Sequence, residues 1–165
     1  MTLADLNACS REQFVAAVGW VFEHSPWVAE RAHPTAPFTS IDALHAAMER
    51  VALNAPRGEQ LALLRAHPDL GSRAAMSESS TNEQTSVGLD RLNAADFQRL
   101  QRLNDLYRRR FGFPFLYAVK GSTVAQILAA LEQRSTSDPD EEFAEALGQA
   151  SRIARFRLEG VLSGP

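Results

Sequence analysis

The chain has 165 residues and a single cysteine, Cys9, so no disulfide can close within it and a reducing compartment fits. Apolar residues make up 45% and charged residues 22%, a globular balance that excludes a disordered chain. With 17 basic against 20 acidic side chains, and Arg108 to Arg110 as the only basic run, the composition excludes the clustered basic surface of a nucleic-acid binder.

Helical signals dominate the chain from its start. Ser10-Arg11-Glu12-Gln13 has the form of a capping box, and Phe14, Val18, Val21 and Phe22 follow at helical spacing. Pro26 breaks that segment, and Pro34 and Pro37 mark an irregular stretch. Ser40 caps a second helix with Ile41, Leu44, Met48 and Val51 on its apolar face. After Pro56 and Gly58 a short helix runs through Leu61 and Leu64 and stops near His67, because Pro68 disfavours helical geometry in the residue before it.

Asp69 to Ser79 reads as a polar loop, and Ser80-Thr81-Asn82-Glu83 as a second box opening a segment towards Leu89. Asn93 caps a long helix burying Phe97, Leu100, Leu103 and Tyr107, with Gly112 as its stop. Phe113 to Val119 is an apolar connector holding Pro114, and its Phe115 to Val119 part is the one candidate strand. Ser122 starts a helix through Ile127, Leu128 and Leu131; after a turn, Asp138-Pro139 opens the last helix with proline at its first position. No repeat is visible. The pattern predicts an all-α fold, a single-domain multi-helix bundle over residues 1–165.

Four features of this pattern have chemical potential, each with a structural alternative. In the last helix Phe143, Leu147, Ala150, Ala154 and Val161 share one arc, and Arg157 falls near its middle while Arg152 and Arg155 project away. A guanidinium there either snorkels or is paired structurally, or else binds an anion inside a pocket. His67 has a side chain able to exchange protons near neutrality, or it caps a helix end. Glu83 can serve chemistry or reach back to the Ser80 amide, and Gln84 beside it can both donate and accept. The cluster Phe111-Gly112-Phe113-Pro114-Phe115 is either core or the edge of a connector whose backbone amides meet a ligand.

Other chemistries find no footing. His24, His33 and His45 lack zinc-ligand spacing, so no metal is expected. Phosphate-binding glycine loops, dinucleotide fingerprints and a serine nucleophile elbow are missing too. No run of about 18 apolar residues would span a membrane, residues 1–10 do not read as a signal peptide, and Leu162-Ser163-Gly164-Pro165 is not a peroxisomal ending. The expectation is a cytoplasmic protein.

Five stretches, SPWVAERA (25–32), HPDLG (67–71), SSTNEQTSVGLD (79–90), FGFPFLYAVKG (111–121) and RIARFRL (152–158), together resemble the decarboxylase family acting on 2-oxo-4-hydroxy-4-carboxy-5-ureidoimidazoline (OHCU). They occur in the expected order and span most of the chain. The resemblance implies a carboxy-lyase of urate (purine) breakdown that releases CO2 and (S)-allantoin without a cofactor. It implies His67 as catalytic acid/base, with Glu83 and Arg157 completing the catalytic set. Substrate contacts then fall on Pro68, Ser80, Thr81, Asn82, Glu83 and Gln84, with Thr81 and Asn82 acting through backbone, and on Phe115, Leu116, Tyr117, Ala118 and Val119. One departure stands out: Leu116-Tyr117 places a bulky aromatic where the family pattern is aliphatic. The partners implied are a small ureidoimidazoline substrate and a second copy of the chain, with neither nucleic acid nor membrane. Two alternatives remain at this level, a non-enzymatic helical interaction domain and another ureide-processing lyase or hydrolase.

Overall fold

The structure, a computed structural model, describes residues 1–72 and 74–162. Arg73, within the polar loop, and the ending Ser163-Gly164-Pro165 lie outside the described residues. Among the described residues all regular elements are helical, nine α-helices and one 3₁₀ turn, and no helix is long and apolar enough to cross a membrane. The chain forms two compact units.

The first unit comprises residues 1–66 together with the chain from Ala150 onward. Helix α1 (Leu3–Asn7) is capped by Thr2, and α2 (Arg11–Val18) opens on the expected box: Ser10 Oγ accepts the Gln13 N–H at 3.3 Å and Gln13 Oε1 accepts the Ser10 N–H at 2.9 Å. This helix is shorter than its apolar spacing suggested. It ends before Gly19, a poor helix former, and Val21 and Phe22 are buried from the turns that follow. Pro26 opens a helix instead of breaking one. Its missing N–H costs nothing at a helix start, and α3 (Trp27–Ala32) follows directly, then a 3₁₀ turn over His33–Thr35.

Helix α4 (Ile41–Asn54) starts where expected, with Ser40 Oγ accepting the Ala43 N–H at 3.0 Å. Its buried stripe is Leu44, Ala47, Met48 and Ala52; Ile41 and Val51 are half-buried at the margin. Helix α5 (Arg57–Arg65) begins after Pro56 and takes Gly58 into its first turn. Around Phe14, Phe22, Leu44, Met48, Leu63 and Leu64, all at most 1% exposed, this unit builds its core.

The second unit covers His67–Gln149. Helix α6 (Glu78–Ser86) begins earlier than the box at Ser80 implied. Ser77 is its cap, accepting the Ser80 N–H at 3.2 Å, so Ser80 lies inside the first turn. Helix α7 (Ala94–Phe111) opens and stops as read, with Asn93 Oδ1 accepting the Asp96 N–H at 2.8 Å and Gly112 in the left-handed region at φ 79°. Of its expected buried side, however, only Leu100 and Tyr107 are buried, Phe97 and Leu103 being half-buried. Phe113 to Val119 carries no regular structure, so the candidate strand does not form; its apolar side chains are buried from a connector. Helix α8 (Val124–Arg134) is capped by Thr123, one residue beyond Ser122, through a box with Gln126. Helix α9 (Pro139–Val161) starts on Pro139, with Asp138 Oδ1 accepting the Asp140 N–H at 2.9 Å.

An aromatic cluster forms the heart of the second unit. Tyr107 sits edge-on to Phe113 and Phe115 at centroid distances of 5.9 and 5.4 Å, and Phe113 meets Phe143 of α9 at 5.7 Å. Such edge-to-face pairs add to the burial that already favours aromatic cores.

Candidate active site

His67, Pro68, Ser80 to Gln84 and Phe115 to Val119 all belong to the second unit, whereas Arg157 belongs to the first.

The loop that begins at His67 is pinned by several ties. Gln84 Oε1 accepts the Gly71 N–H at 2.8 Å, Asn104 Nδ2 donates to Leu70 O at 3.0 Å, and Arg108 Nη2 meets Asp69 Oδ1 at 2.8 Å. Gly71 is required twice over: its φ is +70°, and an added Cβ would lie 2.5 Å from Leu100 Cδ2. Rigid support of this kind fixes the path of the chain around His67, which is itself only 6% exposed. A buried imidazole can take or give a proton at a ligand without bulk water between them.

Helix α6 supplies the next group. Because the helix starts at Glu78, Glu83 lies in its second turn and the Ser80 amide is already taken by Ser77 Oγ. The helix therefore opens on Ser77 and not on the box of Ser80 with Glu83. Glu83 is half-buried and Gln84 buried. Gln84 spends its carbonyl on Gly71 and places Nε2 3.6 Å from Met76 Sδ, a weak acceptor. Ser80 is buried, whereas Thr81 and Asn82 are exposed. The Thr81 N–H bonds Ser77 O at 2.9 Å and its hydroxyl bonds the same carbonyl at 3.0 Å, so its backbone donor is occupied by the helix.

The connector is held from α8 and α9. Arg134 Nη1 donates to Leu116 O at 2.8 Å, and its guanidinium lies 4.5 Å from the Phe115 ring centroid. Ala118 N–H donates to Gln149 Oε1 at 2.9 Å, so this amide serves the protein's own scaffold. Tyr117, the departure from an aliphatic pattern, stacks on Phe115 at 5.9 Å with its hydroxyl 3.2 Å from Ser122 Oγ. Phe115, Leu116, Ala118 and Val119 are buried; Tyr117 is half-buried.

In the first unit Arg157 is buried, as its place on the arc of α9 implied. Its Nη2 lies 2.8 Å from Glu23 Oε2, and the two side chains are 4% and 2% exposed. Longer contacts of 3.5 and 3.4 Å run from Nη1 to the carbonyls of Trp20 and Val21. Arg152 is exposed, and Arg155 pairs with Glu159 at 2.8 Å and with Asp42.

Residue patterns alone missed Glu23, Asn104, Arg134, Glu142 and Gln149. A signal existed for one of them. Tyr107 lies on the buried face of α7, and a buried phenol needs a partner for its hydroxyl. Glu142, 1% exposed one turn before Ala146, is that partner.

The chain is similar to known proteins along nearly its whole length. The OHCU decarboxylase family model matches residues 7–159. An OHCU decarboxylase of Halalkalicoccus jeotgali is 49% identical over 96% of this chain and 90% of its own length. That of Haloferax volcanii is 48% identical over 96% and 94%. A crystal structure of (S)-allantoin synthase superposes with a TM-score of 0.82 at 32% identity; it covers 99% of this chain, which spans 54% of that one. Identity at this level along nearly the whole length settles the relationship: the chain belongs to the OHCU decarboxylase family.

Proposed function

We propose that this chain removes CO2 from OHCU and delivers (S)-allantoin in urate breakdown. The observation that carries the reading is the 49% identity along 96% of the chain to a protein named for this decarboxylation.

The chemistry asks little of the protein beyond placement. When the bond to the carboxylate breaks, its electron pair passes into the ring towards the adjoining imine, so the substrate carries its own electron sink. The former imine nitrogen takes a proton from solvent, and protonation of the ureido-bearing carbon with loss of the hydroxyl proton then gives the carbonyl product and fixes its handedness. Orientation, charge placement and directed proton transfer are what remain. His67 is the acid/base for that proton, and Glu83, in the second turn of α6, tunes or relays it. Arg157 supplies cationic charge, held in register by Glu23. The amide NH2 of Gln84, whose carbonyl is engaged by Gly71, meets a carbonyl of the ureide. Along the connector, the backbone from Phe115 to Val119 other than the Ala118 N–H holds ring and ureide atoms. A homodimer in the cytoplasm completes this reading, supported by the family likeness and the lone cysteine.

The test is CO2 release from freshly generated substrate. Wild-type protein accelerates it, and His67→Asn, with an unchanged far-ultraviolet circular dichroism spectrum, brings it back to the uncatalysed rate. Near-normal release by His67→Asn removes His67 from the mechanism.

A further inference from the structure

Two interior charges have no part in the mechanism above. Glu142 is 1% exposed and the side chain of Arg134 12% exposed, and they meet inside the second unit. Arg134 Nη2 and Nε lie 2.6 and 2.9 Å from the same oxygen, Glu142 Oε1, which also accepts the hydroxyl of the fully buried Tyr107. The third guanidinium nitrogen, Nη1, reaches Leu116 O at 2.8 Å, and the plane of charge lies 4.5 Å from the Phe115 ring centroid. Burying such a pair costs desolvation that its mutual attraction need not repay, so stability alone is a poor reason for it. What the arrangement secures is geometry. A rigid fork with donors on every nitrogen grips a carboxylate on one side and a carbonyl on the other, which a point-like ammonium cannot do.

We propose that Arg134 is a positioning residue for the decarboxylation: held by Glu142 and Tyr107, it fixes Phe115 and Leu116, and through them the shape of the substrate-binding connector. The proposal rests on the reading that Phe115 to Val119 contact substrate. Because the connector has no helix or strand of its own, its path depends on side-chain ties such as this one.

Steady-state kinetics and product protection together test it. At a temperature where the variant is folded, Arg134→Gln raises KM about tenfold or more while kcat changes much less, since the chemical groups stay in place and only the binding surface loosens. If Arg134→Gln does not fold, Arg134→Lys carries the same test, keeping a charge for Glu142 while losing the fork. A KM within about twofold of wild type, whatever the loss in thermal stability, assigns Arg134 to stability alone and overturns the proposal. Amide hydrogen exchange of the wild type with and without (S)-allantoin checks the premise separately. Protection confined to other segments removes the connector from the site; protection of Phe115 to Val119 with an unaltered KM in the variant removes only the clamp.

Discussion

Arg157 and Glu23 show how much a single position can reveal and how much it hides. The arginine was legible because a helical period carries from Phe143 to Ala154 and on to its own place in the buried arc. Its partner was not, because no local pattern marks Glu23, which sits in a turn beside His24, a non-glycine residue at φ 46°. With both side chains nearly sealed from solvent, removing Glu23 takes from Arg157 a carboxylate 2.8 Å away. Glu23→Ala should therefore cost about 3–5 kcal/mol in urea unfolding, and a loss below about 1 kcal/mol would show that Arg157 does not depend on this pair. Tyr107 makes a different prediction. Burial first, and then the hydrogen bond and charge of Glu142, push its phenol well above the ordinary value of 10.0. Folding thus favours the protonated hydroxyl. The associated stability is complete below pH 10.0 and is lost as the pH rises beyond it. Thermal unfolding between about pH 9 and 11 should show a shallower alkaline decline for Tyr107→Phe than for wild type. Parallel declines would contradict this placement of the phenol.

At the scale of elements, caps were read well where a single polar residue preceded an apolar period, as at Ser10, Ser40 and Asn93. Reading failed where several candidates stood in a row. In Ser77-Glu78-Ser79-Ser80 three serines compete, and Ser77 takes the cap, its hydroxyl accepting the Ser80 N–H. That shift places Glu83 in the second turn of the helix, away from the N-cap. Ser77→Ala should cost about 1 kcal/mol by chemical denaturation, while a change within a few tenths would place the helix start elsewhere. The connector was legible as apolar but not in its conformation. Its ties come from Arg134 and Gln149, residues on later helices that no local pattern joins to it. Pro26 gave the opposite signal to its role, because proline suits a helix start as well as a helix end.

Across the whole molecule, the helical class followed from periodicity alone, and the family from five stretches spread along the chain. The division into two units did not show in the sequence. One helix, α9, contributes residues to both, and nothing in its composition marks Gln149 as the last residue of one and Ala150 as the first of the other. The His67 loop, α6 and the connector belong to one unit and Arg157 to the other. His67 is proposed to direct a proton to one face of the decarboxylated ring, and handedness of the product tests this most directly. Freshly generated OHCU, followed by circular dichroism in the presence of the protein, should develop the signal of (S)-allantoin. Product without optical activity, formed at the spontaneous rate, would contradict it.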